Sequence, residues 1–257
     1  MDTPPVSKPG KINRWLPYWA VFQADMALTV RSWVYRFWVL ISLLAAVGYL
    51  LYRFGIDRGA GINQSASDLI SDLLRWTVFG SVTLIIVLTA GSISGERGTM
   101  ADSVLSRGIS RYQYFLGKWH ARLTAVLGTF VILGVVALVG SFFLLDKDLS
   151  VLGSLVALLT VCALLAVVAT CGVTISAMTS STVLGITVLW MLLYGAGFVL
   201  SLLPRRFPSP DRALDHLPNI LRGMYDWHVL ARLLGWSALT CCLVALVGVV
   251  CFARRDV

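Results

Sequence analysis

The chain is expected to fold as an all-α polytopic membrane protein with six transmembrane helices and an N-terminal amphipathic helix in the interface. Two observations predict this. Apolar residues make up 58% of the 257, charged residues only 13%, and mean hydropathy is +0.81; that is too little polar surface to cover a soluble globule of this size. Six apolar runs, 37–52, 76–94, 123–145, 149–178, 182–203 and 233–253, also meet or approach the roughly 20 residues that a helix needs to cross about 30 Å of hydrocarbon.

The elements follow in chain order. The first nine residues hold three prolines and no apolar core, so no signal peptide is expected. Residues 13–36 mix aromatics with charges. Trp19, Phe22, Met26, Val30 and Trp33 recur every three or four positions, with Gln23, Asp25 and Arg31 elsewhere on the wheel; this predicts a helix lying in the interface and leading into the first span. That span is the shortest, and Trp33, Tyr35, Trp38, Tyr49 and Tyr52 flank it as an interfacial belt. The connection from Arg53 to Arg75 is polar and Gly-rich, then amphipathic. Asp146, Lys147 and Asp148 form a short turn that makes the third and fourth spans antiparallel neighbours, and residues 178–182 are a tight turn before the fifth. The segment 204–232 is the largest piece outside the spans. Its four prolines exclude one continuous helix, and Leu214, Leu217, Ile220, Leu221, Met224 and Tyr225 suffice to dock short helices on the outer leaflet.

An even number of spans places both termini on one side, and basic residues indicate which. With the N-terminus inside, twelve of the twenty-one basic residues are cytoplasmic: Lys8, Lys11, Arg14, Arg31, Arg36, Arg97, Arg107, Arg111, Lys118, Arg122, Arg254 and Arg255. The net charge of +8 forms no continuous stripe, so anionic headgroups fit it better than nucleic acid. The cysteines Cys162, Cys171, Cys241, Cys242 and Cys251 all fall inside spans, where a thiol acts as a small hydrophobe, and neither a disulfide nor a metal site is expected from them.

No Asp, Glu, Lys, Arg or His lies deep within the later five spans, which argues against proton-coupled transport and intramembrane hydrolysis. The phosphate-cradling pattern of Gly, four residues, Gly-Lys and Ser or Thr is absent, so an ATPase would have to be another chain. Asp211, Asp215, His216, Asp226 and His228 match no closed ligand set and read as loop residues or helix caps. Gly91 with Gly95, and Gly172 with Ser176, are small-residue pairs that allow close helix packing.

What remains is a charged island, Gly95 to Lys118, between two uncharged runs. Thr99 and Asp102 make a capping-box-like pair opening a short helix through Val104 and Leu105. Gly108 can end it, and Ser110 can cap a helix starting at Arg111. Glu96 and Arg97 emerge where the second span ends, so force on the short helix would pass into that span. The order Glu96, Gly98-Thr99, Leu105-Ser106, Ile109-Ser110-Arg111 and Gly117-Lys118 resembles the membrane subunits of type-2 ABC transporters, especially the six-span permeases of copper-enzyme maturation and gliding-associated systems. The six-span plan and the ending FARRDV extend the resemblance over essentially the whole chain. Gly108 stands where the family commonly has Pro, the acidic run before Gly-Thr is reduced to Glu96, and Gln23 and Asp25 replace a typical Arg/Lys-Glu pair.

The resemblance implies a dimeric permease, of two copies or a copy and a paralogue, in the cytoplasmic membrane. Its coupling residues Glu96, Arg97, Gly98, Thr99, Leu105, Ser106, Ile109, Ser110, Arg111, Gly117 and Lys118 would meet a separate ATP-binding subunit. ATP and Mg would be held by that subunit, with no cofactor in this chain. Membrane lipids are a further partner, and 204–232 leaves room for an extracytoplasmic one. A non-transporting membrane anchor or scaffold shares the same topology. The Ser/Thr-containing apolar fourth and fifth spans are compatible with a lipid-like cargo, a drug, a peptide or no cargo.

Overall fold

A computed structural model describes residues 15–60, 65–94, 109–144, 148–202 and 210–254. All regular structure among them is helical: α1 (Leu16–Arg31), α2 (Trp33–Ala60), α3 (Ala66–Ala90), α4 (Arg111–Leu144), α5 (Val151–Met178), α6 (Thr182–Leu202), α7 (Pro210–Asp215), α8 (Leu217–Leu221) and α9 (Trp227–Arg254). Six of them, α2, α3, α4, α5, α6 and α9, are long and apolar enough to cross a membrane. The chain is a multi-pass membrane protein.

The helices outrun the apolar runs that predict them. α4 holds 34 residues, about 50 Å at 1.5 Å per residue, so it extends well beyond a 30 Å hydrocarbon layer. The third span and the helix expected at Arg111 are thus one helix. Its start is a capping box, in which Gln113 N–H donates to Ser110 Oγ (3.3 Å) and Ser110 N–H to Gln113 Oε1 (3.2 Å). The amphipathic stretch before Arg75 likewise belongs to α3, which begins at Ser65, whose side chain accepts from Asp68 N–H. Residues 53–60 continue α2, and 227–232 are the first turns of α9.

A single residue separates α1 from α2. Ser32 adopts an extended conformation (φ −63°, ψ 135°), donates its N–H to Leu28 and Thr29 carbonyls, and accepts from Tyr35 N–H (3.3 Å), thereby ending one helix and capping the next.

α5 is the central post, packed against α3, α4, α6, α8 and α9, most extensively α9. It can be approached closely because it is rich in small residues. A Cβ on Gly172 would collide with the Thr89 side chain of α3, and one on Gly248 of α9 would lie 2.8 Å from Thr174 Oγ1 and 2.6 Å from Phe115 Cζ. Thr160 donates its hydroxyl to Val156 O (2.8 Å) and Thr170 to Ala166 O (2.7 Å), while Thr174 bridges helices to Val244 O (3.2 Å). A large apolar cluster containing Leu50, Ile70, Leu74, Phe130, Val161 and Leu165 runs through the bundle. α2 and α6 show much of their apolar surface, for example Phe37, Leu44, Met191 and Phe198, which bilayer lipid solvates.

The short helices α7 and α8 pack into the bundle. Leu214, Leu217, Ile220 and Leu221 enter the main core, at the bundle end where α3 and α5 begin; only Met224 of the expected docking residues is strongly exposed. Carbonyls of Ile220 and Leu221 abut Gly153 so closely that no Cβ would fit, and Ser150 N–H donates to Leu221 O (2.9 Å). α8 ends at Gly223, whose φ of +84° is the left-handed conformation that suits glycine. This places Arg222 to donate to Ser65, Ser67 and Asp68 and to stand 3.8 Å from Asp148.

Candidate coupling site

The site is built from the two stubs of the charged island and the helices that hold them. Glu96, Arg97, Gly98, Thr99, Leu105 and Ser106 lie outside the described residues, as do the capping pair Thr99 and Asp102 and the expected helix end at Gly108. The chain is described up to Ser94 and again from Ile109.

On the leading side, α3 ends at Gly91 and Ser92–Ser94 turn back against α5. Ser176 Oγ accepts the backbone N–H of both Ile93 (2.9 Å) and Ser94 (3.1 Å). These are donors that the end of a helix would otherwise leave for water, and at under 3% exposure Ile93 has little. The small-residue pair Gly172 and Ser176 thus does two jobs on one face of α5, close approach to α3 and backbone capture. Gly91 meets the Thr182 side chain of α6.

On the returning side, Arg111 donates to Ala253 O in the last turn of α9 (3.1 Å), meeting a carbonyl that has no intrahelical partner. Tyr114 stacks on Phe252 at a centroid distance of 5.8 Å, and Phe115 meets the same ring tilted at 6.4 Å. With Val21, Ile93, Val173 and Ala177 they form a second core beneath the island, against which Ile109 packs.

The third component comes from α1. A Cβ on Gly117 would lie 2.9 Å from Val21 Cγ1 and 3.2 Å from Tyr18 O, so glycine lets the two helices nearly touch. Just beyond this contact sits a buried charge cluster. Lys118 Nζ donates to Asp25 Oδ1 (3.2 Å) and to Ser92 O (2.8 Å) and stands 5.4 Å from the Tyr114 ring centroid. Arg122, one turn further along α4, donates through Nη2 to Asp25 Oδ1 (3.1 Å); its Nε lies 3.0 Å from Oδ2, an ionic contact without hydrogen-bond alignment. The Lys118 and Asp25 side chains are 3% and 2% exposed. Stripping both of water is costly, and the pair, the Ser92 carbonyl and the aromatic face together offset that cost.

One sequence expectation is corrected here, the place of Asp25. Gly117 lies against α1, and the Lys118 side chain is buried beside Asp25. Lys118 is buried because it is the ammonium that neutralises Asp25. Ser110, exposed, caps α4 as its position before Arg111 predicts, and Arg111 meets the end of α9. Asp25 leaves the water-facing side of the interfacial helix: Gln23 and Arg31 are exposed as expected, whereas Val21, Asp25 and Thr29 form the buried stripe. The apolar residues Trp19, Val30 and Trp33 remain exposed and Phe22 and Met26 half-buried. The i, i+4 spacing of Lys118 and Arg122, facing a lone acid in an aromatic helix, was the signal that could have found the cluster.

The carboxylates and imidazoles of 211–228 disperse into structural roles. Asp215 pairs with Arg75, Asp226 Oδ1 accepts from His228 N–H (2.8 Å), and His216 precedes α8; among the described residues no three His, Cys, Asp or Glu gather as a metal set. Compared with protein-family models and with curated proteins, the chain matches none.

Proposed function

We propose that this chain is the membrane subunit of an ATP-driven type-2 ABC export or mechanotransmission complex, working as a dimer and energised through 95–118 by a separate ATP-binding subunit. One observation carries the reading: both stubs of the island are rooted in packed helices. Ile93 and Ser94 hang on Ser176 of α5, while Arg111 holds the end of α9. A push on the segment between them would reach α3, α4, α5 and α9 together instead of being dissipated in a slack loop. The absence of ionisable groups deep in the later spans points the same way, because the work must then enter from outside the membrane.

The test is a photo-crosslinking residue at Leu105 or Ser106 in the full chain, expressed in its native membranes. The expected product is a crosslink to a protein that binds and hydrolyses ATP in the purified complex. Absence of any crosslink in an active complex would overturn the reading. Hydrolysis that no cargo stimulates in reconstituted vesicles would make the chain an anchor, not a permease.

A further inference from the structure

The corner between α1 and α2 brings two guanidinium groups together. Arg31 is the last residue of α1 and Arg36 stands in the first turn of α2, both exposed. Arg36 Nε donates to Val30 O (3.0 Å), one of the last carbonyls of α1, which folds the Arg36 side chain back over the residue next to Arg31. Among the described residues the Arg31 side chain has no hydrogen bond or ion pair, and the Arg36 guanidinium has none beyond Val30. Asp25 is the one acidic residue between 15 and 56, and it is buried on Lys118 and Arg122. Elsewhere Arg75, Arg122 and Arg222 each meet a carboxylate. At this corner two like charges lack their counter-charge, at the end of α2 where the helix dipole also favours an anion.

Below the pair, α2 is apolar. At steps of three and four residues from Arg36, the side chains of Leu40, Leu44 and Val47 follow on one face, all exposed, and this helix is a candidate membrane span. We propose that the corner binds an anionic phospholipid, with its phosphate between Arg31 and Arg36 and an acyl chain along Leu40, Leu44 and Val47. Guanidinium groups suit phosphate because their planar donors meet its oxygens in pairs. A zwitterionic lipid fits less well, since it brings its own cation to a site that already holds two. A free phosphate ion gains nothing from the apolar stripe, whereas a lipid satisfies both parts at once. Trp33, 78% exposed beside the pair, is the aromatic that belongs at headgroup level. The site lies wholly on α1 and α2, and it does not depend on an ATP-binding subunit.

The experiment uses the full chain, stripped of native lipid in a non-ionic detergent, and native mass spectrometry to titrate phosphatidylglycerol against phosphatidylcholine. The parent is expected to hold phosphatidylglycerol about tenfold more tightly, and the double variant Arg31→Gln, Arg36→Gln to lose that preference. Arg31→Gln alone should lower it by part of that factor. Because the Arg31 side chain has no hydrogen bond or ion pair to give up, its loss does not act through folding. Arg232→Gln replaces an exposed arginine in the first turns of α9, at the other end of the bundle, and is expected to leave the preference unchanged. Equal affinity of the parent for the two lipids overturns the site, as does survival of the preference in the double variant. An equal loss in Arg232→Gln would mark attraction to diffuse charge and overturn it too. Displacement of the lipid by inorganic phosphate at matched ionic strength would assign the pair to a soluble anion and overturn the lipid as its occupant.

Discussion

Asp25 of α1 and Lys118 of α4 are 93 positions apart in the chain and 3.2 Å apart in the fold, both almost closed to solvent. Their pairing joins the N-terminal helix to the root of the charged island. Removing Asp25 takes a buried carboxylate from both Lys118 and Arg122, whereas removing Lys118 leaves Asp25 on Arg122. Asp25→Asn is expected to destabilise the protein by about 3–5 kcal/mol and Lys118→Met by less, with the double variant losing less than the sum. Thermal unfolding in lipid nanodiscs, arranged as a double-mutant cycle, measures the coupling.

Phe252, 3% exposed, is the aromatic that α9 lays on Tyr114 and Phe115. Phe252→Ala is expected to cost about 3–5 kcal/mol, the range for emptying a buried phenyl site, and to expose the start of α4 to hydrogen exchange. Arg111→Ala removes the donor to the Ala253 carbonyl at the same junction and should cost about 1 kcal/mol for that bond. Hydrogen-exchange mass spectrometry across 109–118 separates the two.

Gly172 and Gly195 are both helical glycines with opposite surroundings. A Cβ at Gly172 meets the Thr89 side chain, whereas at Gly195 nothing lies within 4 Å. Gly172→Ala is expected to push α3 from α5 at a cost of about 1–3 kcal/mol, and Gly195→Ala to stay within about 0.5 kcal/mol of the parent. Unfolding temperatures of the two variants in the same detergent provide the check.

Arg222 gathers Ser65, Ser67 and Asp68 around the end of α8, with its side chain 33% and that of Asp68 58% exposed. Water screens these pairs, so Arg222→Ala should cost about 1 kcal/mol overall, while the apolar side of α8 keeps it docked. The loss should shrink in high salt, and Arg222→Lys should recover little of it because the compact ammonium lacks the spread, planar donors with which the guanidinium reaches all three residues. Proteolysis of segment 210–226 as a function of ionic strength tests both points.

Much of the architecture is legible in the residues. Apolar runs locate the six long helices, Ser110 announces the start of α4, and Pro210 and Pro218 each stand in the first turn of a short helix. The helix ends are less legible, because α3 and α4 extend through amphipathic stretches whose stability comes from packing on α5, α8 and α1. Those contacts are between residues far apart in the chain. Ser176 illustrates the limit: nothing in VTISAM says that its hydroxyl receives two backbone N–H groups from the end of α3.

Composition and periodicity by themselves determined that this chain is helical, multi-pass and without ionisable groups deep in its later spans, since an apolar run of about 20 residues has few other stable states in a bilayer. Only the tertiary structure decided which face of each helix turns inward. In water, burial follows hydrophobicity; in a membrane, lipid and protein interior are equally apolar, so a helical wheel loses its usual meaning. α1 turns Val21, Asp25 and Thr29 inward, and the partners of Asp25, Lys118 and Arg122, lie on a helix that begins 80 residues after α1 ends.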